Sequence, residues 1–463
     1  MTLEAQVTEP TDPWRSAGLL SDVYESEQLV EALAEVSGAA ACSRWASGAS
    51  RYVNTLGSVG EPFSRWLRYR EAYSPLLVKE LLERFPPAPG TSVLDPMCGS
   101  GSSLLAAQAV GRTSIGVDVS PYAVLASRVK TRSLPLGDRQ AIGRWVDALT
   151  PQSLEVGRAV EPTENQQSLE PYFPPANFRV LCAIDRHIRE RWPQGPSRDL
   201  LEVALLAILE ESSDRRKDGN GLASRPSRIS DPLGLFVSQI QLMLDDLRDP
   251  VDEVPRASCL EGSAVNLVEL LSGVPSTPDV GVVVFSPPYP NSFDYFQSYK
   301  LELLFSGLVP IGDFQGRRGD QIRSFRQSGV SSEVEELTLV ELLIDEVLSA
   351  LPRKEALTGI RDARTRLVPN LLRGYFSDMQ EVLSSCGRIL SPKGRLHIVV
   401  DQSAYAGIPV PTDLLLAELG LRNGFEFEEL TICRRSRTSG QQLRLNPALG
   451  SLLREAIVTL RRL

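Results

Sequence analysis

The sequence predicts an α/β protein in which a parallel, doubly wound sheet is interrupted by a helical insertion. The segments TSVLDPMCGSGSSLLAAQAVG and TSIGVDVSPYAVLASRVK each run from a short strand through a turn into a helix. Two such units in series produce parallel strands. Residues 136–250 show helical periodicity with no convincing strand, and the α/β pattern then resumes. We therefore expect the sheet domain in residues 63–135 and 251–435.

Size and composition limit the classes of protein to consider. The 463 residues exceed what one compact core usually holds, and 42% apolar residues is ordinary for a globular protein. No apolar run is long enough to span a bilayer, and the acidic N-terminus lacks signal-peptide features, so a cytoplasmic protein without a membrane partner is expected. Six scattered cysteines and two histidines indicate neither a disulfide framework nor a metal site.

The segments that flank the predicted sheet are less informative. Residues 1–62 carry one helical pattern, SEQLVEALAEV, and a Gly/Ser-rich stretch, and are interpreted as a helical accessory segment. From Tyr69, the segment YREAYSPLLVKELLERF predicts a loop that enters an amphipathic helix, with Pro75 in its first turn. Residues 436–463 are interpreted as a basic C-terminal segment.

The turn from Asp95 to Gly101 is the first candidate for ligand binding. Its glycines allow close approach to the backbone, and the following helix N-terminus favours a negative group. A purely structural turn would explain these glycines nearly as well. However, Asp118 ends the next strand about twenty residues further on, where a carboxylate can accept hydrogen bonds from both ribose hydroxyls. Since neither a P-loop lysine nor a GxGxxG spacing is present, S-adenosylmethionine is favoured over ATP or a dinucleotide.

A second candidate site follows the apolar strand that ends at Phe285. Ser286, Pro287, Pro288 and Tyr289 come directly after this strand. The prolines stiffen the turn, the serine hydroxyl and backbone carbonyls accept hydrogen bonds, and the tyrosine offers a face for stacking. Such a turn suits an amino group on a planar ring, although a proline-stopped strand with a packing tyrosine is the alternative.

Four segments give the chain a resemblance to the amino-methyltransferases of DNA, which modify the exocyclic nitrogen of cytosine or adenine. DPMCGSGS resembles the family's cofactor motif, VGVDVSPYAV its acidic ribose-binding strand, and SPPY its catalytic tetrapeptide. YREAYSPLLVKELL is similar to the segment that closes over the methionine end of the cofactor. The resemblance covers residues 63–463, with the insertion matched loosely through SSDRRKDG.

This resemblance implies a Rossmann-like methyltransferase fold, S-adenosylmethionine as cofactor, and direct methyl transfer to a flipped base. Ser286 Oγ and the Pro287 carbonyl would accept the amino hydrogens, Pro288 would complete the rigid turn, and Tyr289 would stack on the base. Met97 stands where the family usually has Phe, Ser102 where Thr is common and Ser263 where Asp is common. The cofactor-binding residues implied are Tyr73, Ser74, Asp95, Met97, Cys98, Gly99, Gly101, Asp118, Val119 and Ser263.

DNA is the partner that the resemblance implies, and it also allows a restriction or phage-defence partner. The formal charge of −9 argues mildly against a nucleic acid, so local positive charge must supply the contacts. Family members with Ser before Pro-Pro-Tyr tend to modify N4 of cytosine. The same chemistry on adenine or RNA, and an inactive nucleic-acid-binding module, are alternatives. The expected DNA-binding residues are Arg215, Arg216, Lys217, Arg434 and Arg435.

Overall fold

The fold is a nine-stranded sheet with helices on both faces, seen in a computed structural model. The model describes residues 6–7, 20–39, 41–44, 52–54, 58, 60–69, 72–154, 161–218, 221–247, 255–274, 279–291, 293–325, 337–359 and 361–463. In chain order the strands are β1 (Gln6–Val7), β2 (Ala41–Arg44), β3 (Ser92–Asp95), β4 (Ser114–Asp118), β5 (Arg215–Asp218), β6 (Gly221–Ser224), β7 (Ala257–Glu261), β8 (Val280–Phe285), β9 (Leu390–Asp401), β10 (Ser403–Tyr405), β11 (Ile408–Val410), β12 (Phe425–Arg435) and β13 (Arg454–Arg462).

The strand order places a topological switch point beside β3. The large sheet has the order β1-β2-β12-β13-β9-β8-β3-β4-β7, so the chain runs outward from β3 through β4 to β7 and then returns to β8 and β9 on the other side. These five strands are mutually parallel, whereas β13 is antiparallel to both of its neighbours. The prediction of a Rossmann-like, doubly wound sheet is confirmed. Ligands of such sheets bind at the carboxyl ends of the strands on either side of the switch point.

The helices cover the sheet and build the insertion. On one face α17 buries Leu372 and Phe376, and on the other α2 buries Leu77 and Leu81. The helices are α1 (Glu27–Gly38), α2 (Pro75–Arg84), α3 (Ser102–Ala109), α4 (Pro121–Thr131), α5 (Leu136–Asp147), α6 (Glu164–Leu169), α7 (Pro175–Arg191), α8 (Pro196–Ala207), α9 (Leu209–Ser212), α10 (Pro232–Asp246), α11 (Leu267–Ser272), α12 (Tyr295–Ser298), α13 (Lys300–Phe305), α14 (Phe314–Arg318), α15 (Thr338–Ser349), α16 (Leu351–Thr358), α17 (Val368–Ile389), α18 (Thr412–Arg422), α19 (Gly440–Leu445) and α20 (Leu449–Leu452). None of the helices in the described part of the chain is long and apolar enough to cross a membrane.

The insertion contains a β-hairpin that the sequence did not predict. Helices α5 to α10 share a core that includes Phe178, Leu201 and Phe236. β5 and β6 form an antiparallel pair within this region, with Arg215 opposite Ser224. The expectation that residues 136–250 lack a strand is therefore wrong. The hairpin was missed because its strands, RRKD and GLAS, show no apolar alternation on which a strand prediction depends.

Both ends of the chain contribute strands to the sheet, so the predicted boundaries need correction. β13 lies between β9 and β12, and the seven residues from Arg454 to Leu460 are buried, so residues 436–463 are not a peripheral basic segment. Because this strand is buried on both faces, it lacks the alternation that would have revealed it. β2 pairs in parallel with β12, which extends the sheet with part of the segment interpreted as helical. Most of the Gly/Ser-rich stretch of residues 46–60 lies outside the described residues.

Candidate active site

Asp95 ends β3 at the switch point and organises the first candidate turn. Its carboxylate accepts hydrogen bonds from the Met97 backbone N–H at 3.0 Å and from the Tyr73 hydroxyl at 2.9 Å. It also accepts a hydrogen bond from the Ser103 hydroxyl. Burial raises the pKa of Asp95 to about 7, although these three hydrogen bonds favour the charged form. Asp95 thus fixes the turn from within and lines the cavity described below.

Two glycines of this turn adopt backbone conformations that other residues rarely take. Gly99 has φ +49° and Gly101 has φ +87°. A Cβ on Gly101 would lie 2.9 Å from Ser127 Oγ and 3.2 Å from the Ser127 backbone, so the close approach of α3 to α4 requires glycine. Gly101 is the N-cap of α3, and its role is to shape the turn.

Asp118 closes the turn from the neighbouring strand. One carboxylate oxygen accepts a hydrogen bond from the Gly99 N–H and the other from the Ser120 N–H, each at 2.8 Å. Burial raises the pKa of Asp118 to about 6, against the effect of these two hydrogen bonds. Each carboxylate oxygen has a second lone pair, so Asp118 can still accept hydrogen bonds from a ligand.

One cavity of about 310 Å³ joins the two candidate turns. Ser74 and Gly101 do not line it: Ser74 is fully buried and caps α2, where its hydroxyl accepts a hydrogen bond from Leu76 N at 3.2 Å. The other twelve sequence-predicted cofactor and catalytic residues line this single space, namely Tyr73, Asp95, Met97, Cys98, Gly99, Asp118, Val119, Ser263, Ser286, Pro287, Pro288 and Tyr289.

The second candidate turn follows β8, whose six residues are all buried. The hydroxyl of the half-buried Ser286 donates a hydrogen bond to the Tyr289 hydroxyl, and the two oxygens are 3.3 Å apart. Burial raises the pKa of Tyr289 well above its usual value, with further contributions from the Glu455 and Asp401 carboxylates. Tyr289 is therefore neutral at physiological pH, and it lines the cavity beside Ser286.

Besides Asp320, a cluster of three charged residues that the sequence did not assign to the cofactor or the reaction lines the same cavity: Asp401, Arg434 and Glu455. They lie side by side on β9, β12 and β13, because Glu455 is opposite both Asp401 and Arg434 in the strand register. Burial raises the pKa of Asp401 to about 6 and that of Glu455 to about 7. Local sequence offers no signal for this cluster, because it depends on the position of β13 inside the sheet.

A pair of stacked aromatic residues in the cavity lining was also missed. Tyr69 and Tyr299 both line the cavity, with ring centroids 4.7 Å apart and planes inclined by 13°. Tyr122 contacts Tyr299 at 5.7 Å with a tilted ring. Tyr69 is the first residue of the segment that resembles the cofactor-closing region, which is the signal that could have found it.

The expected DNA-binding residues of the insertion have mainly internal partners. Lys217 is buried, forms ion pairs with Glu302 and Glu210, and places its ammonium group 4.1 Å from the centre of the Tyr299 ring. Its assignment to DNA binding is wrong, because no phosphate can reach a buried ammonium group that two carboxylates already neutralise. Arg216 donates to the backbone carbonyls of Glu210 and Ser213.

The other three expected DNA-binding residues differ in their surroundings. Arg215 lies over the Tyr172 ring, 4.7 Å from its centre. Arg434 and Arg435 are both exposed, but Arg434 pairs with Glu455 at the cavity, whereas Arg435 donates to the Ser451 carbonyl. The partner of Arg435 in this contact is therefore a neutral acceptor and that of Arg434 is a carboxylate.

Neither Cys98 nor the possible metal ligands of the described residues meet the requirements of nucleophilic and metal-dependent catalysis. Cys98 lines the cavity, and its sulfur lies 3.5 Å from that of Cys259; both thiols are free and buried. The hydrogen bond to Cys259, together with burial, raises the pKa of Cys98 well above its usual value, so this thiol is not a nucleophile. Within the described ranges of the chain, no group of histidine, cysteine or acidic residues could hold a metal ion.

No protein-family model matches this chain, but known proteins are similar to it in sequence over most of its length. The chain is 26% identical over 423 residues to Type II methyltransferase M.AvaI of Nostoc sp., covering 82% of this chain and 83% of the relative. It is 24% identical over 445 residues to Type II methyltransferase M.BsoBI of Geobacillus stearothermophilus, covering 85% and 84%.

Among solved structures, the rRNA methyltransferase aviRa from Streptomyces viridochromogenes aligns over 90% of both chains with 12% identity. The TM-score of this alignment is 0.24, which is too low to support a comparison of the two folds. The sequence relatives are the informative finding. Over more than four-fifths of its length, this chain is similar to Type II methyltransferases.

Proposed function

We propose that the protein transfers a methyl group from S-adenosylmethionine to the N4 amino group of cytosine in DNA. The observation that carries this proposal is the single cavity that joins Asp118 and the glycine turn to Ser286 and Tyr289. A methyl donor bound at the first turn and an amino group bound at the second would meet inside this cavity. The similarity to Type II methyltransferases along most of the chain supports the same reaction class and favours DNA over RNA.

The residues of the first turn fit S-adenosylmethionine. Asp118 has free lone pairs for the ribose hydroxyls at the end of β4, Ser263 can bond to the adenine, and Met97 offers an apolar surface. The Gly99 turn permits close approach of the methionine portion. When bound, the cofactor supplies an electrophilic methyl group on a positively charged sulfur. Asp95 and Asp118 line this part of the cavity, and a cationic ligand beside them would favour their charged forms, against the effect of burial, which raises both pKa values.

The residues of the second turn fit an exocyclic amino group. Ser286 donates its own hydrogen to Tyr289, which leaves the Ser286 lone pairs free to accept an amino hydrogen. The Pro287 carbonyl is the expected second acceptor. Two such hydrogen bonds concentrate the lone pair on the amino nitrogen, which ring resonance otherwise withdraws. Pro288 and Tyr289 hold the base by rigid packing and stacking.

Cytosine is proposed over adenine because Ser286 stands before Pro-Pro-Tyr, a feature of family members that modify N4 of cytosine. A hydroxyl accepts a hydrogen bond from either amino group, so adenine N6 remains the main alternative. An inactive nucleic-acid-binding module is disfavoured because Asp118 and the Ser286 turn are intact and share the cavity. We further propose that the insertion of residues 136–250 contributes to target recognition, and that a restriction nuclease is a partner.

The reaction can be tested by incubating the protein with methyl-labelled cofactor and unmodified DNA or RNA, then identifying the labelled nucleoside by mass. We expect label in N4-methylcytosine from DNA, and its loss in the Ser286→Ala variant. Ser272→Ala, an exposed serine at the end of α11, is the matched control and should retain activity.

Each alternative gives a different result in this experiment. Label in N6-methyladenine would contradict the base assignment, and label only in RNA would contradict the substrate class. Cofactor binding by calorimetry without labelling of either nucleic acid would indicate the inactive binding module.

A further inference from the structure

The strand register places an acid beside the candidate catalytic turn. Glu455 on β13 is only 3% exposed, and it lines the cavity together with Ser286 and Tyr289. Arg434, its ion-pair partner, comes directly after a register shift between Ile432 and Arg434. Such bulges redirect side chains at the ends of strands. The fold thus brings a buried carboxylate from the last strand to a turn that is more than 160 residues away in sequence.

Two hydroxyls of the candidate catalytic turn share the cavity with this carboxylate. The Ser286 hydroxyl donates to the Tyr289 hydroxyl oxygen at 3.3 Å. Tyr289 and Glu455 line the same cavity, and the Tyr289 hydroxyl is one of the groups that lower the pKa of Glu455, which as a carboxylate can only accept a hydrogen bond. A charged Glu455 therefore favours a Tyr289 hydroxyl that donates toward the carboxylate while it accepts from Ser286.

The surroundings of Glu455 favour a proton acceptor that works near neutral pH. Burial and the nearby Asp401 carboxylate raise the pKa of Glu455 to about 7, whereas Arg434 and the Tyr289 hydroxyl lower it. Cys433, on β12, has a pKa raised well above its usual value by burial and stays neutral. An acid with a pKa near the working pH both takes up and releases a proton readily.

We propose that Glu455 is the terminal acceptor, through Tyr289 and Ser286, of the proton that leaves the methylated amino group. This inference rests on the proposed function. The new carbon–nitrogen bond uses the nitrogen lone pair while the carbon–sulfur bond breaks with its electrons remaining on sulfur. The nitrogen then carries an extra proton. That proton passes to Ser286 Oγ, the Ser286 proton to Tyr289 Oη, and the Tyr289 proton to Glu455, which becomes neutral and later releases it to water.

The test compares single-turnover methyl transfer to DNA in the wild type and two variants over roughly pH 5.5 to 9. Wild-type rates should rise with pH through an apparent pKa near 7, since only the charged Glu455 accepts a proton. Glu455→Gln should slow transfer about 100-fold and abolish this rise, because an amide does not take up the proton. Tyr289→Phe interrupts the chain without touching the Arg434 ion pair, and should slow transfer by at least about tenfold.

Two controls separate this positioning role from a structural one. Glu428→Gln, on β12 and paired with Arg395, makes the same chemical change away from the cavity and should leave the rate and its pH dependence unchanged. In Glu455→Gln the Kd for S-adenosylmethionine and the KM for DNA should change less than roughly threefold while kcat falls. Equal loss of kcat and cofactor affinity, or a wild-type pH profile in Glu455→Gln, would overturn the proposal.

A measurement without turnover distinguishes this inference from the proposed function. Nuclear magnetic resonance of the free protein labelled at glutamate side-chain carbons should show one carboxyl that titrates near 7 and is absent in Glu455→Gln. Tyr289→Phe should raise that pKa, because it removes a hydrogen bond to the charged form. Titration near 4.5 would contradict the proton-acceptor role even in an active enzyme. A wild type that labels no DNA would contradict the proposed function itself.

Discussion

The cavity at the switch point and the helical insertion both bury charged side chains, but they use them differently. In the cavity, Asp118 and Glu455 face a shared open space, and burial raises their pKa values to about 6 and about 7. In the insertion, the buried Lys217 forms ion pairs with Glu210 and Glu302. Charge in the cavity is available to a ligand, whereas charge in the insertion is used to hold the hairpin against α13. The surroundings of a buried charged residue, and not its residue type, therefore indicate whether it serves ligand binding or stability.

The largest expected effect is a loss of stability when the buried positive charge of the insertion is removed. Lys217→Met would remove the counter-charge that the buried Glu302 has in Lys217, which costs about 3–5 kcal/mol in the free energy of unfolding. Lys79→Met, which removes an exposed ion pair with Glu83, should change that free energy by less than about 0.5 kcal/mol. Urea denaturation of both variants measures the difference. Unchanged stability with weakened DNA binding in Lys217→Met would restore the original assignment.

A second prediction concerns the cavity, where the raised pKa of Glu455 should make the stability of the protein depend on pH. The pKa of Glu455 rises from 4.5 to about 7 on folding, so protonation of this residue stabilises the folded protein. This contribution to the free energy of unfolding is fully present below about pH 4.5 and is lost as the pH rises through 7. Glu455→Gln removes this loss, so the variant should gain on the order of 2 kcal/mol relative to wild type between about pH 5 and about pH 8. Urea denaturation at both pH values measures this gain. Parallel curves for wild type, Glu455→Gln and the Glu428→Gln control would exclude a raised pKa at Glu455.

A third prediction concerns the ligand that the cavity charges are expected to bind. Asp118→Ala should weaken S-adenosylmethionine binding about 10- to 100-fold, equivalent to about 1.4–2.7 kcal/mol, because two hydrogen bonds to a charged acceptor are lost. Isothermal titration calorimetry measures the Kd, and circular dichroism checks the fold. Asp147→Ala, at the exposed C-terminal end of α5, is the control that should bind normally. An unchanged Kd in a folded Asp118→Ala protein would remove the ribose assignment.

Much of the cavity was predictable because its two turns are local features. Asp118 ends an apolar strand, and Ser286 follows another, so each is visible in a window of a few residues. Parallel strands on both sides of a switch point end at the same edge of the sheet, which brings such residues together. The sequence therefore predicted the two turns, and the order of the strands in the sheet explains why they line one cavity.

The charged wall was not predictable because it depends on strand order. Asp401, Arg434 and Glu455 are neighbours only because β13 inserts between β9 and β12. A strand buried on both faces shows no alternation, and its charged ends suggested a basic tail. Lys217 was misassigned for a related reason: a run of basic residues in sequence does not show that one of them points into the core.

The smallest expected effect concerns the surface that would contact DNA phosphates. Arg435 is exposed and donates a hydrogen bond to the Ser451 carbonyl, which is neutral. Arg434, in contrast, forms an ion pair with Glu455. Arg435→Ala should therefore lower the slope of log affinity against log salt by about 0.9, the value for one lost phosphate contact. Arg422→Ala, beyond the opposite end of β12, should leave the slope unchanged. Equal slopes for wild type and Arg435→Ala would place the phosphate contacts elsewhere, whereas equal losses in both variants would indicate non-specific attraction by total charge.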